Sequence, residues 1–393
     1  VTLLALLLAA PAAADWPGFR GPHGDASAVD PAVPVRWSAT ENVAWKVPVP
    51  GVGHSSPVVA GGRVFVTTCV GTDRLLLAYD AASGAELWRA TVCTAPREGM
   101  HKSSSPANAT PCTDGDRVYT TFLDAGAVRA SAHAAADGRP VWTRPFPGFV
   151  CRHGFCGPCA LFRNLLVVNG DSDGRAFLAA VDKATGEVVW ERPRPNNIRS
   201  YSCPVFVTVD GKPQMLLAGS KGVGGFDPAT GQPVWWADTP THKFVATVAV
   251  AAGVVAATGT SDVASFVGVD PTTGKVLWDA PKAGCYVPSP LAVGDKFFAV
   301  TDAGLAFLLD ARTGAVGWGE RLGRHHDASP VLVNGLVYAL ADDGTMYVVK
   351  PGPEFDLVAK NPLGERCQAT PAVAGGGLYV RTAGHLVRIA TAR

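Results

Sequence analysis

Six residues recur at one phase of the sequence: His153, Arg199, Lys243, Cys285, His325 and Arg366. Each stands five positions ahead of a Pro, or ahead of Val248 where the Pro is replaced. Arg152, His242, Arg324 and His326 flank them, and a longer insertion carries His101 and Lys102. If the fold gathers these side chains at one opening they form a ring of cations, and such a ring over low-dielectric walls attracts anions. Arg offers a planar fork for carboxylate or phosphate, Lys a point charge. Asp327 and Glu365 offset part of that charge. The expected site is His153, Arg199, Lys243, His325 and Arg366, and the expected ligand is a small anion or a partner protein.

Other groups of chemically capable residues read as structural. Cys151-Arg-His153-Gly-Phe-Cys156-Gly-Pro-Cys159 contains the Cys-x-x-Cys spacing of thiol–disulfide exchange, and with His153 it offers four donors that suit zinc. Redox use needs the first Cys at a helix N-terminus. Here the stretch enters a strand, whose successive side chains point to opposite faces. Small, buried Cys in sheet packing is the expected role. The chain holds nine Cys, an odd number, so at least one thiol stays outside any intrachain disulfide. Asp171-x-Asp173-Gly174 begins like a calcium loop but lacks the later carboxylates and the closing Glu. It is expected to be a tight turn, as is Asp342-Asp343-Gly344. No nucleophile elbow, H-E-x-x-H helix or phosphate loop occurs, so no catalytic residue and no metal ligand is assigned.

The elements that must position these residues come from a second repeat. Asp, four residues later Gly, four residues later Trp occurs complete at Asp80-Gly84-Trp88, Asp182-Gly186-Trp190, Asp227-Gly231-Trp235, Asp270-Gly274-Trp278 and Asp310-Gly314-Trp318. A sixth copy keeps Gly138 and Trp142 but has Ala134 for the Asp. Successive Trp lie 40 to 54 residues apart, the period of a blade-by-blade β-propeller. The Asp suits a turn whose backbone N–H groups it accepts, the Gly supplies positive φ, and the Trp is a flat apolar surface for the neighbouring blade.

A further mark, a small residue followed by Pro and an apolar pair, counts the blades. It stands at Ser56, Thr110, Gly157, Cys203, Ser289, Ser329 and Thr370, with Thr247 in the same place before Val248. Eight marks predict an all-β, eight-bladed β-propeller of four-stranded antiparallel blades. Blade 8 runs out of chain one strand short. The segment Asn42–Pro50, bearing Trp45, has the pattern of an outer strand and is expected to complete that blade and close the ring. Blade 7 lacks a Trp in Lys350–Lys360. The loops carrying His153 and its counterparts then converge on the axis at one face.

The apolar residues 1–14, ending Ala12-Ala13-Ala14, are expected to be a signal peptide. Residues 15–41 form an N-terminal extension and 42–393 the propeller. The balance of 34 basic and 33 acidic residues, with no basic run, gives no nucleic-acid surface, and no later segment is apolar enough for membrane insertion. A soluble monomer, periplasmic or extracellular, is expected.

Ala180-Val-Asp-Lys-Ala-Thr-Gly-Glu-Val-Val-Trp190 resembles the tryptophan-docking repeat of quinoprotein alcohol dehydrogenases and of related PQQ-like propellers, including outer-membrane assembly factors of the BamB type. Trp16-Pro-Gly-Phe-Arg-Gly-Pro-His-Gly24 resembles the start of a group of exported bacterial PQQ-like repeat proteins. The resemblance implies the scaffold across the whole mature chain. Its dehydrogenase branch implies PQQ beside calcium, adjacent Cys under the cofactor and a catalytic Asp, yet no two Cys are adjacent here. The expectation is a non-catalytic binding or interaction scaffold without a cofactor; the alternative is a PQQ- and calcium-dependent oxidoreductase.

Overall fold

The computed structural model describes residues 15–96 and 100–391. The proposed signal peptide, residues 1–14, lies outside them. Eight antiparallel sheets surround one axis: blade 1 spans residues 58–94, blade 2 112–147, blade 3 160–193, blade 4 205–238, blade 5 249–279, blade 6 291–321, blade 7 331–362 and blade 8 372–390. Val43–Pro48 pairs antiparallel with His385–Ala390 as the fourth strand of blade 8, so the ends of the chain close the ring as expected. The sole helical element among the described residues is the 3-10 turn Pro281–Ala283, and no described helix is long and apolar enough to cross a membrane.

The Asp-Gly-Trp repeat forms the joint between blades. In blade 1, Asp80 Oδ1 accepts from the backbone N–H groups of Ala82 and Ser83, and Gly84 follows at φ 76°. In blades 1–5 and 8 the Trp of the outer strand lies on the Gly turn of the next blade. A Cβ placed on Gly138 would stand 2.5 Å from Trp88, one on Gly231 2.6 Å from Trp190, and one on Gly314 2.6 Å from Trp278. The indole N–H then donates to a carbonyl of that same turn: Trp88 to Ala135 O at 3.2 Å, Trp142 to Lys183 O at 2.9 Å, Trp278 to Ala311 O at 3.0 Å. Trp45 of blade 8 reaches Ala81 O of blade 1 at 3.2 Å and seals the ring. Trp235 departs from the pattern, donating to Gln214 of its own blade at 2.9 Å. The outer strand of every blade carries a register shift beside this position, and a bulge of that kind re-aims a side chain out of the alternation of the strand.

Blade 7 shows how the missing Trp is replaced. Its bulge leaves Ala359 at the Trp position, in the row with Val348 and Tyr338. Trp37, from the extension, stacks parallel on Tyr338 with ring centroids 6.4 Å apart and is buried. Tyr379 under Trp45, Tyr119 under Trp142 and Phe298 under Trp318 are the same aromatic pair made within one blade. Asn361 holds the inserted segment through Val35 O at 2.9 Å and the Trp37 N–H at 3.3 Å.

The rest of the extension is a strap under the axis. Trp16 bridges Val59 of blade 1, Pro17 O accepts from Thr113 of blade 2, and Ser27–Ala28 pairs parallel with Val331–Val333 of blade 7. A third device joins the blades beside the axis. The N–H of Ser56 donates to Thr110 Oγ1 at 2.9 Å, and the same bond runs from Cys203 to Thr247, Thr247 to Ser289, Ser289 to Ser329, Ser329 to Thr370 and Thr370 to Ser56, at 2.9–3.1 Å. The small residue before each Pro is therefore a hydroxyl for a physical reason: it satisfies a buried N–H of the preceding blade. The belt is interrupted at Gly157, which has no hydroxyl, and at Cys203.

Trp37→Ala should cost about 3 kcal/mol, the usual range for emptying a large buried aromatic site. A urea titration should show a lower midpoint for this variant of the extension, although the residue lies outside the repeats.

Candidate functional site

A cavity of about 950 Å³ occupies the axis. All eight blades line it: His54 and Ser56, His101 and Asn108, His153 and Cys156, Tyr201, Thr247, Tyr286 and Asp302, His325 and Asp342, and Arg366 and Gln368 each come from a successive blade or the loop that leads into it. Phe19, on the strap, also lines it. Because the strap crosses the far ends of the innermost strands, the channel is a funnel floored by Phe19 and open at the face of the loops.

Of the five residues expected at the mouth, the structure brings three into the lining: His153, His325 and Arg366. Lys243 stands behind them, its Nζ 4.8 Å over the ring of Tyr286. Arg199 is held by Asp173, Nη1 to Oδ2 at 2.6 Å, outside the lining. Cys285 is buried, with its thiol donating to Ala283 O at 3.4 Å. Nor is His153 a cation at neutral pH. Burial, then the charges of His101, Arg152, Arg199 and Lys243, lower its pKa to about 4. Its Nδ1 lies 3.0 Å from Ser104 Oγ and its ring 4.9 Å from that of His101. The wall from blades 2–4 is thus polar, with no Lys or Arg among its described lining residues.

The opposite wall is acidic. Asp302, Asp327, Asp342, Asp343 and Glu365 line the cavity, against Arg366 as the single Lys or Arg of that lining among the described residues. Two of these carboxylates sit in turns that the sequence marks as Thr301-Asp302-Ala-Gly304 and Ala341-Asp342-Asp-Gly344. Each first holds a neighbouring loop: Asp302 accepts from the N–H groups of Tyr286 at 2.7 Å and Val287 at 3.1 Å, and Asp342 Oδ1 accepts from Asp327 N–H at 2.8 Å. Asp342 Oδ2 faces His325 Nδ1 at 3.0 Å, Asp327 Oδ1 lies 4.0 Å from that nitrogen, and Gln368 Nε2 donates to Asp327 Oδ2 at 2.7 Å. Arg366 approaches Asp342 at 3.9 Å. Burial and the charge of Asp327 push the Asp342 carboxyl up to about 6, and burial also raises that of Asp302. The expected turn at Asp342-Asp343-Gly344 is present, with Gly344 at φ 83°, but it also carries a site residue. At Asp171-x-Asp173-Gly174, expected to be a tight turn, both carboxylates are tied up internally, Asp171 by the buried Arg194 at 2.8 Å and Asp173 by Arg199.

Across residues 26–387, in overlapping segments 26–129, 72–267, 219–351 and 264–387, the chain matches the family described as outer membrane protein assembly factor BamB. The chain belongs to this family of PQQ-like propellers. Its backbone superposes on BamB from Moraxella catarrhalis with a TM-score of 0.68 at 14% identity, over 88% of this chain and 96% of that one. On the quinohemoprotein alcohol dehydrogenase from Comamonas testosteroni the TM-score is 0.71 at 13% identity, over 96% and 81%. At these identities the likeness is one of fold. In sequence, the PQQ-like propeller is 28% identical over 159 residues to a quinoprotein ethanol dehydrogenase of Pseudomonas putida, 36% of this chain. The match spans 23% of that relative's length.

The cavity can be tested against the cofactor this family implies. His325, Asp327 and Asp342 place one donor atom each within 4.8 Å of one another, and carboxylate oxygens suit a hard cation such as calcium. The quinone fits less well. PQQ is a flat tricarboxylate, and the propeller offers it five carboxylates, one Arg and no adjacent Cys pair. The residues fit a cation and do not fit the quinone, so no step is derived through it.

The raised carboxyl has a consequence for stability. A carboxylate with a folded pKa above its unfolded value adds nothing below the unfolded pKa and destabilises increasingly as pH rises through the folded one. For Asp342 that window runs from about 3.8 to about 6. Asp342→Asn should therefore unfold at a higher temperature than the parent at pH 7, and the difference should vanish towards pH 4 in scanning calorimetry.

Proposed function

We propose that this PQQ-like propeller is an exported binding module without catalysis of its own, and that its funnel takes a small ligand carrying a cationic group. The observation that carries the reading is the cavity of about 950 Å³, floored by Phe19, with like charges crowded on one wall. Pockets of this size, with a few convergent polar groups and a perturbed carboxyl, are the usual form of a small-molecule site. Asp327 and Asp342 repel each other side by side on one wall, and an ammonium group or divalent cation beside them would relieve that repulsion. The hydroxyl belt, Asn108, Gln368 and Tyr201 supply neutral hydrogen-bonding partners for the remainder of the ligand. The anion first expected at a basic ring would meet one Lys or Arg in the lining, Arg366.

The second reading is the PQQ- and calcium-dependent oxidoreductase. The His325, Asp327 and Asp342 donors favour its calcium site, while the lining of five carboxylates and one Arg speaks against its quinone.

One titration separates the readings. Calcium chloride, spermidine, and PQQ with and without calcium are added to the full chain in a calorimeter. The binding-module reading expects calcium or spermidine to bind, with affinity falling at least about tenfold, or 1.4 kcal/mol, in Asp327→Asn/Asp342→Asn. Calcium-dependent binding of PQQ would establish the second reading. Binding of PQQ alone, lost on Arg366→Ala, with neither cation bound, would overturn the first.

A further inference from the structure

The hydroxyl belt that joins the blades is absent between blades 2 and 3, because Gly157 has no side chain to accept the Thr110 N–H. Two residues beyond these positions stand Cys112 and Cys159. The corresponding residues of the other blades are Val58, Val205, Ala249, Leu291, Val331 and Ala372, all buried and aliphatic. Cysteine replaces them in two consecutive blades, on the two sides of one of the two junctions, 2–3 and 3–4, where no hydroxyl link is made among the described residues. The two sulfurs lie 3.3 Å apart, and both residues are buried.

We propose that Cys112 and Cys159 are the site of an inter-blade disulfide that takes the place of the missing link between blades 2 and 3. A disulfide needs the sulfurs at about 2.05 Å, so closure requires about 1 Å of approach, within the reach of small side-chain rotations. The pairing also accounts for the Cys-Gly-Pro-Cys tetrapeptide. Its two thiols do not face each other: Cys156 receives the Asn108 amide at 3.2 Å and donates to His153 O at 3.3 Å, on the cavity side. Cys159 turns instead towards blade 2. The link would also lie beneath the strap, where Thr113, next to Cys112, donates to Pro17 O at 2.8 Å. It therefore anchors the seat of the segment that floors the channel with Phe19.

The oxidant is a disulfide of the glutathione class. One Cys thiolate attacks it, forming a mixed disulfide and releasing one glutathione thiolate. The second Cys thiolate then displaces the other glutathione, so the pair loses two electrons and two protons while the oxidant becomes two thiols. Burial holds the Cys112 thiol protonated in the native state, so exchange occurs while the chain is folding, before the strap closes over the pair.

The test is to refold the reduced full chain in oxidised and reduced glutathione, block remaining thiols with iodoacetamide, digest without reduction and sequence the peptides by mass spectrometry. The expected product is a Cys112–Cys159 link with Cys156 alkylated, and a thermal midpoint that dithiothreitol lowers in the parent but not in Cys112→Ser. Alkylation of both residues, or a link from Cys159 to Cys203 or from Cys156 to Cys159, overturns the proposal. The peptide map is read on the parent chain, so it decides the question even if the Ser variant does not fold.

Discussion

The contact on which everything else rests is an indole lying on a glycine. A propeller blade cannot bury both faces alone; it depends on its neighbours, and eight such dependences must close on themselves. Here the neighbouring faces are brought together at one seat. The Gly at positive φ has no Cβ, so the ring of the preceding blade's Trp lies flat on its backbone. A Cβ at Gly84, Gly186 or Gly274 would come within 2.6–3.1 Å of that ring or its stem. Except at Trp235, whose N–H goes to Gln214, the indole N–H then binds a carbonyl of the same turn, so apolar area and a hydrogen bond fix the same angle between blades. Because the Asp organises the turn that holds the Gly, three residues of each repeat specify one joint.

Where the repeat fails, the chain supplies the part from elsewhere. Blade 8 has no outer strand of its own, and Val43–Pro48 brings Trp45 to the seat on blade 1. Blade 7 has Ala359 where the Trp belongs, and Trp37 fills the space above Tyr338. Both repairs come from the residues ahead of the first blade. The same stretch pairs with blades 1, 2 and 7 and floors the channel, so closure of the ring and closure of the funnel are two effects of one segment.

The architecture was legible in the sequence because its determinants are local and periodic. Asp, Gly and Trp at fixed spacing name the turn, and the small residue before Pro names the inner strand. What escaped lay off that phase. Trp37 sits in no repeat, and nothing in its neighbours shows that it serves a blade more than 300 residues later. Asp302 and Asp342 lie outside the phase of the loops before each inner strand, in the turn between the middle strands; their sequence signal is an Asp two residues ahead of Gly in two successive blades. Of the expected ring, His153 lines the cavity and Arg199 does not, and neither the neutrality of the one nor the pairing of the other is legible in the sequence. A histidine packed among His101, Arg152 and Tyr201 is neutral for reasons of burial and neighbours, and Asp173, which holds Arg199, lies on a different loop.

The acidic wall follows from the same logic as the joints. Loops crossing the mouth present backbone N–H groups that no strand can pair, and buried donors of that kind must find acceptors. In blades 6 and 7 the acceptors are Asp302 and Asp342, each reaching from the turn of its own blade to the loop that feeds it. A neutral Asn or Ser in those turns would also accept. Aspartate adds a negative charge that the backbone bonds do not neutralise, and it does so beside Asp327, where charge raises the pKa of Asp342. A choice that is costly for the fold and unnecessary for the loop would be accounted for by the proposed cationic ligand, because relief of the repulsion between Asp327 and Asp342 would add to its affinity.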